Sequence, residues 1–202
     1  MKRWMGCLVS VVCLMALVPE HALAQEEGKG TAATGEAGAA GDGGLRDAGP
    51  HQRGSMLSVF GLLPWGYGYA NGIGAAARYT LPVIHDGFID SYNDSVELEF
   101  GGDIWFGGQS FGVVRYGYTG LAIPVEGRWT FHLNPKLSLY GKLSLGWYFN
   151  FWSSNVAELD NLSYGGLYWN TGVGALYQLS DALWLRGELG ATGLKAGVGF
   201  SF

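Results

Sequence analysis

The feature that most restricts this chain is a run of strict alternation over residues 137–151. Odd positions read Leu137, Leu139, Gly141, Leu143, Leu145, Trp147, Phe149 and Phe151, and even positions read Ser138, Tyr140, Lys142, Ser144, Gly146, Tyr148 and Asn150. Period two is the signature of a strand with two unlike faces. This apolar face is eight residues long and ends in aromatics, and about 9–11 residues of strand cross a bilayer. The run therefore reads as a membrane-crossing strand that ends in an aromatic girdle. Composition supports the reading. Only 14% of residues are charged and 14% are aromatic, whereas a soluble domain carries about 25% charge. Past the N-terminal segment no apolar run reaches the ~18 residues of a spanning helix. The 35 glycines lack a collagen period, and 12 basic against 17 acidic residues, net −5, argue against nucleic acid as a partner.

The alternation recurs along the chain. Val96, Leu98, Phe100, Ile104 and Phe106 alternate with Glu97, Glu99, Asp103 and Trp105, and Val125, Trp129, Phe131 and Leu133 with Glu126, Arg128, Thr130 and His132. Comparable patterns cover the segments near residues 73–83, 167–178 and 183–189, whereas the first strand, about 56–65, shows no clear polar face. Eight strands are predicted: 56–66, 71–83, 95–106, 118–133, 137–151, 164–178, 182–190 and 194–202. An even number returns both termini to one side, and closure pairs every edge, as lipid demands. Residues 133–143 resemble residues 179–189 at an offset of 46, each copy a short turn followed by a strand. Those short turns mark the periplasmic side, and residues 106–117 and 152–164 are expected to be longer external loops. Pro124 cannot donate to a ladder, so it is expected to mark the membrane entry of strand four, leaving residues 125–133 for the crossing.

Three segments follow. Residues 1–24 read as a signal peptide: Lys2 and Arg3 precede an apolar stretch, and small residues at Ala22 and Ala24 predict cleavage between Ala24 and Gln25. Neither Cys7 nor Cys13 has the setting of a lipoprotein anchor, and both lie in the discarded segment, so the exported chain has no disulfide and no thiolate ligand. Residues 25–54 contain 9 Gly, 6 Ala and no aromatic, which predicts a disordered periplasmic arm. Residues 55–202 form the barrel domain.

The C-terminus alternates apolar residues back from a terminal phenylalanine: Leu194, Ala196, Val198, Phe200, Phe202. This strand resembles the one by which outer-membrane barrels are recognised by their assembly machinery. Together with the strand pattern and signal peptide, it makes the domain similar to the small eight-stranded OmpA/OmpX-type group. That resemblance implies an all-β, closed, antiparallel up-and-down transmembrane barrel in the outer membrane of a diderm bacterium. The lipid bilayer and the assembly machinery, engaged through Val198, Phe200 and Phe202, are the implied partners.

Assigning even positions inward in strands two to seven, and odd ones in strand eight, the polar side of each alternation yields a lumen of Arg78, Arg128, Lys142, Arg186 and Lys195 with Glu97, Glu99, Asp103, Glu126 and Glu188. Isolated ions cannot persist in such an interior, so pairing is required. Hairpin geometry predicts Glu188 opposite Lys195 and Glu126 opposite Lys142, with Arg128 kept apart from Lys142. A plugged, ion-paired lumen and a structural or surface-interaction role follow, with a narrow solute channel as the alternative. A soluble lipocalin-like binder and a lipid A-modifying enzyme are weaker readings. For the enzyme, His132 is the only in-barrel candidate; Ser138 could approach it across the turn, yet no acid is evident to orient it, and a solvated spacer describes it better. No catalytic residue, metal site or cofactor is expected. Asp86, Asp90 and Asp94 have the wrong spacing for a calcium loop and read as solvating a turn. Interior glycines are expected to make room for inward Tyr and Trp.

Overall fold

The computed structural model describes residues 43–47, 49–65, 72–111, 114–154 and 163–202. The segment read as a signal peptide, and the arm up to residue 42, lie outside the described residues. Eight antiparallel strands close into one barrel in chain order: β1 Met56–Pro64, β2 Gly72–Ile84, β3 Asp94–Phe111, β4 Val114–Asn134, β5 Leu137–Ser154, β6 Ser163–Gln178, β7 Leu183–Gly190 and β8 Gly193–Ser201. Closure comes from β1, which pairs with β2 on one side and with β8 on the other, from Met56↔Ser201 to Pro64↔Gly193. Every strand thus has two neighbours, which removes the edges that lipid would penalise.

The period-two pattern determines what faces where. Outward go Leu143, Leu145, Val173 and Leu189, each more than half exposed. The other face is buried and holds all ten charges of the sequence-derived set. β3 departs from the even-inward rule: its odd residues point in, which is how Glu97, Glu99 and Asp103 reach the lumen. β1 also has a defined inner face of Met56, Ser58, Phe60 and Leu62. The remaining described charges of the domain, Asp86, Asp90, Asp94, Arg115, Lys136 and Asp181, sit on connections or at strand ends, so the wall between them is uncharged.

The wall is uneven. β1, β7 and β8 have 9, 8 and 9 residues, about one bilayer crossing. β3, β4, β5 and β6 have 18, 21, 18 and 16. β6 pairs with β7 only from Gly172↔Gly190 onward, so the extra length of β3–β6 stands clear at one end. Residues 106–117, expected as an open loop, instead continue the ladder to Phe111↔Val114.

Pro124 corrects a second expectation. It lies inside β4, opposite Gly146 of β5, and the β3–β4 ladder lapses for two pairs between Phe100↔Val125 and Asp103↔Ala122. The missing N–H falls where that ladder is already open, so the proline is accommodated mid-strand rather than at an entry point. Elsewhere glycine creates the space for large inward rings, as expected. A Cβ on Gly120 would lie inside the Trp105 ring, and one on Gly174 inside that of Tyr140.

Candidate functional site: the lumen and its short-turn mouth

The barrel interior is filled in three layers. At the short-turn end Met56, Tyr140 and Leu176 pack with Trp184. At the other end Leu62, Trp105, Tyr118, Ala122 and Tyr168 pack with Tyr148 and Trp152. A cavity of about 10 Å³, bordered by Leu62, Asp103, Trp105 and Tyr168, is the size of one water.

Between these layers the ten charged residues form one unbroken chain of alternating sign. Lys195 contacts Asp103 at 2.8 Å, and Asp103 contacts Arg78 at 2.6 Å. Arg78 continues to Glu126 at 3.0 Å, and Glu126 to Lys142 at 2.9 Å. Lys142 bonds Glu188, which meets Arg186 at 2.8 Å. Arg186 reaches Glu99 at 2.6 Å, Glu99 meets Arg128 at 2.8 Å, and Arg128 ends the chain on Glu97 at 3.2 Å. Neutral groups complete the set: Thr80 donates to Glu99, Thr130 to Glu97 and Tyr140 to Glu188. Arg186 also stacks over Phe60 and Tyr140, with centroid distances of 5.0 and 5.3 Å.

The pairing differs from the hairpin-based expectation. Glu188 does stand opposite Lys195 in register. Lys195 nevertheless bonds Asp103, across the lumen on β3. In the β4–β5 hairpin Arg128, not Glu126, is opposite Lys142. The turn holds only Pro135 and Lys136, with a bulge between His132 and Asn134, and Asn134 Oδ1 caps it by accepting the N–H groups of Lys136 and Leu137. Glu126 still meets Lys142, diagonally rather than directly opposite. The sequence repeat has a counterpart here. At the offset of 46, Arg186 Nε donates to Tyr140 Oη at 3.1 Å and Lys142 donates to Glu188, so corresponding inward residues of the two copies bond each other.

His132 is not a solvated spacer. Its Nδ1 lies 2.9 Å from Ser138 Oγ and its Nε2 2.9 Å from Ser95 Oγ. Ser95 donates to Glu97 at 2.6 Å, so it accepts from Nε2–H, and Ser138 then donates to Nδ1. An orienting acid therefore exists, one serine removed, and sequence reasoning missed it because β3 and β4 bring it together. Ser138 is 2% exposed and Ser95 fully buried, while His132 itself is half-buried. Asp94, expected to solvate a turn, is also fully buried. It accepts from the Phe88 N–H and from Trp129 Nε1. Gly87, at φ 45°, turns the chain directly over its carboxyl.

The end of the segment expected to be disordered lies against this mouth. Leu45 N donates to Leu133 O, Asn93 N to Leu45 O, and His51 N to Asp86 Oδ1. Asp47 accepts from the N–H groups of Gly43 and Gly49. Those donors hold its carboxyl below the ordinary carboxylate value, and the His51 N–H does the same for Asp86. The Gly/Ala-rich composition that predicted disorder hid two anchors to the barrel, Leu45 and Arg53, and a local turn closed on Asp47.

On β8, Phe200 is half exposed on the outer face and Phe202 ends the chain at 73% exposure. Val198 pairs with Val59 and Leu185 on its two sides.

No protein-family model and no curated protein matches the sequence. Among solved structures the chain is similar to Ail, the attachment invasion locus protein of Yersinia pestis. The identity is 17% over 75% of this chain and all of Ail, with a TM-score of 0.52. The fold is that of the small eight-stranded outer-membrane β-barrels. The N-terminal β-barrel domain of Pseudomonas aeruginosa OprF also aligns, at 17% identity over 75% of this chain and 98% of that domain, TM-score 0.44. A further Ail structure, in complex with the heparin analogue sucrose octasulfate, gives 15% identity over 75% of this chain and all of that one, TM-score 0.50. This barrel shares the architecture and little of the sequence.

Proposed function

We propose that the chain is an integral outer-membrane protein with a closed, ion-paired lumen, acting as a structural or surface-interaction element rather than as a channel or an enzyme. The single observation that carries this reading is the unbroken ten-residue charge chain, with packed clusters around Trp105 and Tyr168 toward one end and around Tyr140 and Leu176 toward the other. Moving a solute through it would require breaking several buried ion pairs, each desolvated and costly to expose. The uncharged wall, with Trp65, Phe106, Trp147, Phe151 and Trp169 exposed toward one end and Tyr79, Phe88, Trp129 and Tyr177 toward the other, supports insertion in a bilayer. The short turns then face the periplasm and the tall β3–β6 sheet faces outward, with β8 offering Val198, Phe200 and Phe202 to the assembly machinery.

The tall sheet is the part fitted to a surface partner. One Ail structure holds sucrose octasulfate. That chemistry does not carry over to this chain. In sequence, its tall end and the connections there contain one basic residue, Arg115, against Glu158 and Asp160. A highly sulfated ligand needs several cations, so an aromatic-reading partner fits better than a polyanion. Planar-bilayer recording of the purified protein tests the closed lumen. Baseline current without unitary steps is expected; stable channel steps that disappear in Glu188→Ala would overturn it.

A further inference from the structure

We propose that residues 43–47 and 49–54 form an intramolecular latch that closes the β2–β5 side of the short-turn mouth, with Arg53 as its pin. Asn93, at the foot of β3, is 4% exposed. Its backbone N–H donates to Leu45 O at 2.8 Å, and its Nδ2 donates to the carbonyls of Gly44 and Gly43 at 3.3 and 3.5 Å. Its Oδ1 accepts from Arg53 Nη2, and its carbonyl accepts from the His132 N–H at 2.9 Å. Except for the bond from His132, all of these partners come from residues 43–54. Buried polar groups in folded proteins are satisfied, so the barrel's mouth is complete only with the segment docked.

The segment engages two turns. It reaches the β2–β3 connection through His51 N to Asp86, Arg53 N to His85 Nδ1 and Arg53 Nε to His85 O. It reaches the β4–β5 turn through Leu45 N to Leu133 O and through Gly43, which lies against Pro135. Arg53 also has an electrostatic role. The ten-residue chain of alternating charge ends on Glu97; burial pushes the Arg53 guanidinium down from its ordinary value, and Glu97, Asp86 and Asp94 oppose that shift. Arg53 thus adds a positive charge at the Glu97 end of that chain, held in place by its bonds to His85 and Asn93 and not by an ion pair. The histidine–serine group adjoins this contact: the His132 N–H donates to the Asn93 carbonyl, and its ring bonds Ser95 and Ser138.

The docking holds whichever compartment the short turns face, so its test stands apart from the outer-membrane reading. Amide exchange is measured on the purified full chain, together with diethyl pyrocarbonate labelling of each histidine, for the parent, Arg53→Ala and Asn93→Ala. The parent is expected to protect the amides of Leu45, Asn93 and Arg53 and to shield His132 while His85 labels. Either variant should lower protection at Leu45 and speed His132 labelling by about tenfold or more, with strand amides unchanged, as local opening predicts. If Asn93→Ala does not fold, Arg53→Ala gives the answer alone. Free exchange of residues 43–54 in the parent, or unchanged His132 labelling in a folded variant, would overturn the proposal.

Discussion

Arg186 is fully buried and is contacted from several strands: its guanidinium bonds Glu99, Glu188, Ser58 and Tyr140 and lies over two rings. Removing one member of a buried ion set leaves the others uncompensated, which typically costs about 3–5 kcal/mol. Arg186→Met should therefore lower unfolding stability in detergent by that amount, measured by urea titration. Pairing it with Glu188→Gln should recover part of the loss, because the two share one network. The latch makes a pH prediction at the same scale. Asp47 and Asp86 both have carboxyls held below their ordinary value by backbone N–H donors. Their contribution to docking is complete above the unfolded value of about 3.9 and is lost as pH falls through the lower folded value. His51, Arg53 and His85 face these carboxylates, and Asp94, Glu97, Arg128 and His132 lie beneath on β3 and β4. Protection factors of the Gly49 and His51 amides should hold from pH 7 to 5 and collapse below about pH 4. Collapse near pH 6 would implicate the histidines instead.

At the scale of strands, the outer wall is the part most open to test. Val173 lies on β6 midway between the exposed Trp169 and Tyr177, opposite Gly141 and Leu189, and Tyr177 lies at the short-turn end, opposite Leu137 and Leu185. An arginine on a lipid-facing position costs about 2–4 kcal/mol at the bilayer midplane and about 0–1 near an interface. Val173→Arg should thus destabilise the barrel in lipid far more than Tyr177→Arg, read by reversible unfolding in bilayers. Equal costs would mean the wall does not sit in lipid as described. Strand identity and facing were legible in the sequence because a pleat has period two, so Leu139, Leu143 and Leu145 declare their side without tertiary information. Partner choice was not. Lys195 selects Asp103, ninety-two positions away, because closure brings β3 across from β8, and a hairpin view sees only Glu188. Pro124 misled for a related reason. Its cost depends on whether the neighbouring ladder is open there, which only the β3–β4 pairing reveals. The latch was hidden by composition, since a few anchors outweigh many glycines once Asn93 offers buried groups to satisfy.

The whole molecule joins a closed hydrogen-bonded cylinder, an apolar wall and an interior stapled by ions. Each depends on the others: closure satisfies the backbone in lipid, and the charges fill an interior that eight strands leave just wide enough for side chains. Such a barrel should resist SDS at room temperature and unfold only on heating. Gel migration of the purified protein, with and without boiling, tests this most directly. The unboiled form is predicted to run as a compact, faster band that converts to the full apparent mass on boiling, whereas identical mobility under both conditions would contradict a closed membrane barrel.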